Sequence, residues 1–156
     1  MSAELREEPP DSDASRALCA EYMALVRERL GAGFVPTERI FASEDAFQAP
    51  GAAWLVAYED GRPVGCGGLR ALDARTAEIK RMFVTAVARG RGHGRLLLRE
   101  LERRAAAGGR GRVRLLSTEV LAEALALYES EGYEVVEHVG RPGHPVEIWL
   151  EKRLYS

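Results

Sequence analysis

Apolar positions along this chain alternate between two periods. Leu18, Tyr22, Leu25, Val26 and Leu30 recur at helical spacing and stop at Gly31, with Ser12 or Asp13 placed to cap the start. Residues 33–36 read as loop, and 37–47 as a short helix or turn without a firm period. The period then changes. Residues 52–58 (A-A-W-L-V-A-Y) read as a strand, Asp60-Gly61 as a hairpin turn and 64–72 as its partner, where Gly65, Gly67 and Gly68 leave room for a close approach. Asp73-Ala74-Arg75 turns the chain into a third strand, residues 76–84. After the glycine-rich stretch 89–95, Leu96, Leu97, Leu98, Leu101 and Ala105 share one helical face, with Arg95, Arg99 and Arg103 directed elsewhere. That helix runs to about Ala107, and residues 108–111 break it. A strand over 113–117, a helix over 122–130 and strands over 133–138 and 146–153 complete the pattern.

The order is strand, helices, three strands, helix, strand, helix, two strands. A meander leading into a β-α-β crossover predicts an α+β fold with a mixed sheet, helices on its faces and one right-handed connection. The length of 156 residues fits a single domain, 1–156. Residues 1–12 have two readings, a flexible head or, over 3–7, a short edge strand ended by Pro9-Pro10.

Composition narrows the function. A hydrophobic share of 46% with 29% charge is that of an ordinary globular chain. A formal charge of −2 and the lack of an aromatic stacking pattern argue against nucleic acid as a partner. No apolar run reaches the ~18–20 residues of a membrane span, and the polar, acidic start lacks a secretory pattern. The expected location is cytoplasmic, with Cys19 and Cys66 as buried free thiols and no metal site.

The chemistry is concentrated in Arg89-Gly90-Arg91-Gly92-His93-Gly94-Arg95, between a strand and a helix start. Unpaired N–H groups and the positive end of the helix dipole make such a junction an anion site. A Walker loop would need a Gly-Lys pair, which is absent. A dinucleotide fingerprint would need G-x-G-x-x-G, whereas the spacing here is G-x-G-x-G. The segment Arg89-x-x-Gly92-x-Gly94 instead resembles the [QR]-x-x-G-x-[GA] signature of the GNAT family of N-acetyltransferases. Its flanks resemble the family too: E-I-K-R-M-F-V before it, R-L-L-L-R-E-L-E-R-R-A after it, and A-L-A-L-Y-E-S-E-G-Y-E-V-V from residue 124. The likeness extends from about Ala53 to Leu154.

The resemblance implies a GNAT-like acyl-CoA N-acyltransferase fold with a six- to seven-stranded sheet. It implies acetyl-CoA as co-substrate and transfer to a primary amine of a small molecule or peptide, by direct attack in a ternary complex. The pantetheine arm would lie along the bulged strand at Met82, Phe83 and Val84, and the pyrophosphate on Gly90, Arg91, Gly92, His93, Gly94 and Arg95, with Arg89 and Arg91 as phosphate contacts. Tyr128 matches the family's general acid and is the best catalytic candidate, with a core tyrosine on an Ala/Leu helix face as the alternative. Glu78 is the candidate base, with a substrate-binding carboxylate or an exposed strand end as alternatives. Lys80 and Arg81 read as solvent-facing, and Tyr133, Trp54 and Trp149 as core. The acceptor pocket is expected from residues 31–50 and 139–145, where Arg141 and His144 read first as solvated loop residues and second as substrate contacts, and arginines such as Arg70 and Arg141 would suit a carboxylate on the acceptor. Two departures stand out: Leu121 replaces the family's polar residue ahead of the tyrosine, and Leu116-Ser117-Thr118 replaces Leu-Glu-Thr. A coenzyme-A sensor without turnover, or a protein binding another nucleotide phosphate, would share the loop. The assembly is expected to be a monomer or homodimer.

Overall fold

The computed structural model describes residues 3–31, 34 and 37–155; residues 32, 33, 35 and 36, within the expected loop, lie outside them. Seven strands form one sheet: β1 (Ala3–Glu7), β2 (Ala53–Glu59), β3 (Arg62–Ala71), β4 (Thr76–Val84), β5 (Arg112–Thr118), β6 (Glu134–Arg141) and β7 (His144–Arg153). Their order is β1-β2-β3-β4-β5-β7-β6. The pair β4–β5 is parallel and every other pair antiparallel. The helices are α1 (Asp13–Leu30), the short α2 (Glu38–Phe41), α3 (His93–Ala107) and α4 (Ala122–Ser130), with a 3-10 turn at Glu44–Phe47. The head is therefore not loose over 3–7. Its five residues pair in register with β2, Ala3 opposite Glu59 and Glu7 opposite Leu55.

Local chemistry sets the element ends. Ser12 caps α1, its hydroxyl accepting the Ser15 N–H at 3.1 Å, and Gly31 closes the helix at φ +100°. Leu97, Leu98, Leu101 and Ala105 of α3 are buried against one sheet face together with Leu55, Leu69 and Ile79. Leu96, assigned to the same face by period, instead emerges to solvent at 45% exposure. On the opposite face α1 packs Leu18 into a second cluster with Trp54, Val56, Cys66 and Phe83.

Two features of β4 build the site. Its pairing with β5 covers only Thr76 to Ile79 against Arg112 to Leu115, so the two strands diverge beyond that point. Its register against β3 also slips: Cys66 opposes Phe83 but Gly68 opposes Lys80, leaving Arg81 and Met82 across from Gly67, with Arg81 at φ +58°. This is a β-bulge, and it re-aims the backbone of the strand. The close approaches anticipated at the β3 glycines are real. A Cβ at Gly67 would lie 2.6 Å from Met82 Sδ, and one at Gly68 would lie 2.4 Å from the Phe47 ring.

Candidate active site

Two adjoining cavities, of about 350 and 340 Å³, open where β4 and β5 part. They share Tyr22, Met82, Leu116, Ser117, Leu121 and Tyr128. The first continues between Phe34, Ile40 and Phe41 on one side and Arg141, His144 and Pro145 of the β6–β7 hairpin on the other. These belong to the two segments expected to form the acceptor pocket. The second runs along Phe83 and Val84 to Arg89, Gly90, Gly92, His93, Gly94 and Arg95, with α4 as its other wall.

The glycine loop is shaped by backbone conformation. Gly90 and Gly92 stand at φ +80° and +87°, and Gly92 is the residue from which α3 springs. A Cβ at Gly92 would meet nothing within 4 Å, so the left-handed backbone, and not crowding, calls for glycine there. The first-turn N–H groups of His93, Gly94 and Arg95 have no intrahelical acceptor.

The side chains divide unequally. Arg89 borders the cavity, donates from Nε to the Val84 carbonyl at 3.2 Å, and has no carboxylate within ion-pair distance among the described residues. Arg91 differs from expectation: it does not line the cavity but pairs with Glu59. The carboxylate of Glu59 also takes the buried imidazole of His93 at 2.9 Å, and these contacts, His93 first, hold Glu59 below the usual carboxylate range. The His93 side chain thus ties the loop to β2. Arg95 lines the cavity while bonded to Glu131 at 3.1 Å and to Ser130.

Tyr128, carried by α4, is 5% exposed and stands at the junction of the two cavities. Burial pushes its phenol well above the ordinary range, so it keeps its proton. Tyr133, 5.9 Å away ring to ring, is a core residue as expected and donates to buried Glu102 at 2.8 Å.

Glu78 lies outside both cavities. It is 2% exposed, accepts from Arg70 Nε at 2.8 Å and pairs with Lys80 Nζ at 3.2 Å. It is therefore no exposed strand end. Arg70, expected to suit an acceptor carboxylate, is engaged here and does not line the first cavity. Lys80 and Arg81 also depart from their solvent-facing reading. Lys80 is 3% exposed, lies 5.7 Å from the Trp149 ring and borders the first cavity. Arg81 turns inward at the bulge to the carbonyls of Phe41 and Ala42.

Three contributors escaped sequence reasoning. Tyr22 lines both cavities, stacked on Phe83 at 5.3 Å, but in sequence is one more position of an amphipathic helix. Lys80 looked like the polar side of a strand. Ser117 reads in sequence only as a departure from a family motif. Its buried Oγ has no hydrogen-bond partner among the described residues, and it lies where the cavities meet.

The fold is that of known acetyltransferases. The acetyltransferase (GNAT) domain matches residues 50–135. An IAA acetyltransferase of Azospirillum brasilense is 37% identical over 108 residues, covering 67% of this chain and 70% of the relative. An uncharacterized N-acetyltransferase of Escherichia coli K12 is 35% identical over 103 residues, covering 63% and 61%. This chain belongs to the GNAT acetyltransferase family. Among solved structures, a GNAT acetyltransferase of Staphylococcus aureus superposes with TM-score 0.80 at 16% identity over 99% of this chain and 100% of its own. One from Salmonella typhimurium, solved with its cofactor acetyl-CoA, gives 0.74 at 21% identity over 100% and 96%.

Proposed function

We propose that the protein transfers an acetyl group from acetyl-CoA to a primary amine of a small molecule or peptide, by direct attack in a ternary complex. The observation that carries this reading is the junction at Tyr128, where a cavity ending in an anion-binding loop meets a separate, largely apolar cavity. Two reactants held in adjoining cavities gain much of their rate from proximity.

The residues fit the coenzyme at several points. The N–H groups of residues 90–95 and the guanidinium of Arg89 suit a pyrophosphate. The bulge leaves backbone groups of Met82, Phe83 and Val84 for an extended amide chain to pair with, as an added strand would. The unpartnered Ser117 hydroxyl gives a polar contact at the junction. Acetyl-CoA supplies the thioester. Tyr128, protonated and adjacent, gives its proton to the thiolate that leaves. Glu78 acts as a positioning residue: it holds the Lys80 ammonium at the wall of the acceptor cavity.

The test is thermal unfolding with acetyl-CoA, CoA, NAD and ATP, followed by thiol release over an amine panel. Ligand at 100 times Kd adds about 2.7 kcal/mol, which raises Tm by about 5–10 °C at this size. Acetyl-CoA and CoA are expected to give that shift, NAD and ATP none, and Gly92→Glu to abolish it. Stabilisation by acetyl-CoA with no thiol release from any amine would replace the reading with a coenzyme sensor. No shift at all would remove it.

A further inference from the structure

The bulge that shapes the site also encloses a pair of cysteines, apart from both cavities. Arg81, at φ +58°, donates from Nε to the Phe41 carbonyl at 3.1 Å and from Nη2 to that of Ala42 at 2.7 Å. Its Nη1 lies 3.7 Å from the Sγ of Cys19 on α1. No carboxylate pairs with this guanidinium within ion-pair distance among the described residues; its other neighbour is the Phe47 ring at 5.5 Å. A half-buried cation held only by carbonyls favours an anion beside it. Cys66 of β3, fully buried, donates its thiol to the Arg81 carbonyl at 3.5 Å, and Cys19 packs against the cluster that holds it. The neighbouring Cys66 sulfur and the guanidinium draw Cys19 below the ordinary thiol range, while the Cys19 sulfur and burial push Cys66 well above it. The thiolate is thus favoured at Cys19, beside Arg81, over Cys66. Cys19 lines a cavity of about 290 Å³ with Tyr22, Met23, Thr37, Phe41 and Arg81.

We propose that Cys19 is a nucleophilic modification site that reduces hydrogen peroxide, with Cys66 as the thiol that resolves it into a disulfide. The Cys19 thiolate attacks one peroxide oxygen and the O–O bond breaks. A sulfenic acid forms, and the other oxygen leaves as water after taking a proton. Cys66 sulfur then attacks the sulfenic sulfur; the S–S bond forms and the sulfenic oxygen leaves as a second water. Two thiols and one peroxide give one disulfide and two waters. The cross-link joins α1 to β3 beneath the bulge.

Peptide mapping of the full chain after hydrogen peroxide, with dimedone present, tests this. The wild type is expected to yield the Cys19–Cys66 cross-linked peptide, Cys66→Ala a dimedone adduct at Cys19, and Cys19→Ser neither. Native Cys19 is also expected to react with iodoacetamide at pH 7 faster than in the urea-unfolded chain, a comparison that needs no variant. A native Cys19 slower than the unfolded one, or a folded Cys66→Ala without an adduct, overturns the proposal. An adduct on wild-type Cys19 with no cross-link removes the role of Cys66.

Discussion

At the scale of single residues, the two carboxyl and phenol candidates of the sequence have opposite fates. Tyr128 reaches the junction of both cavities with its proton held on by burial. Tyr128→Phe keeps the ring that packs on Tyr133 and removes only the donor. Its kcat is expected to fall by about 10²-fold or more with coenzyme affinity unchanged, as read by steady-state kinetics beside a binding titration. An unaltered kcat would make Tyr128 a wall of the site and nothing more. Glu78 is instead the centre of a buried charge cluster with Lys80 and Arg70. Glu78→Gln leaves the buried Lys80 ammonium without its carboxylate, and breaking such a pair costs about 3–5 kcal/mol. Denaturant melts are expected to show that loss whatever the pH of the activity assay. A variant of wild-type stability that loses activity chiefly at low pH would return Glu78 to the role of base.

Elements were more legible than their interactions. The helix of residues 122–130, the strand ending at Val84 and the glycine turn follow from hydrophobic period and from residues that demand a turn, both local properties. The edge strand at 3–7 and the exposure of Leu96 were less legible because they depend on what lies opposite: β2 pairs the first, and Leu96 alone of its expected face stays 45% exposed. The β3 glycines announced a close approach without saying of what. The structure supplies the Phe47 ring, which lies directly over Gly68 and packs 5.1 Å from the Trp54 ring. An alanine there would bring its Cβ to 2.4 Å from that ring and 2.7 Å from Trp54, and neither rigid ring can yield cheaply. Gly68→Ala is therefore expected to destabilise the protein by about 1–3 kcal/mol in urea melts. An unchanged midpoint would mean that the 3-10 turn carrying Phe47 shifts freely.

Only the whole molecule shows why the two cavities meet. The parallel pairing of β4 with β5 stops at Ile79, yet β5 stays bonded to β7 as far as Thr118, opposite Glu147. The sheet must therefore open on one side of β5 while staying closed on the other, and α1 and α4 bring Tyr22 and Tyr128 to the gap. The glycine loop could be read from spacing because its chemistry lies in consecutive residues. The junction could not, because Tyr22, Met82, Ser117 and Tyr128 come from four separated elements. Its geometry makes a kinetic demand. Both cavities are reached at the same junction, and neither cysteine lines either one, so donor and acceptor can be present together and no protein thiol stands between them. Initial rates with acetyl-CoA and amine varied together are expected to give intersecting double-reciprocal lines. Parallel lines, with acetyl label retained on the protein in the absence of amine, would mean a covalent acetyl-enzyme. Direct attack would then have to be given up, although the coenzyme cavity could still stand.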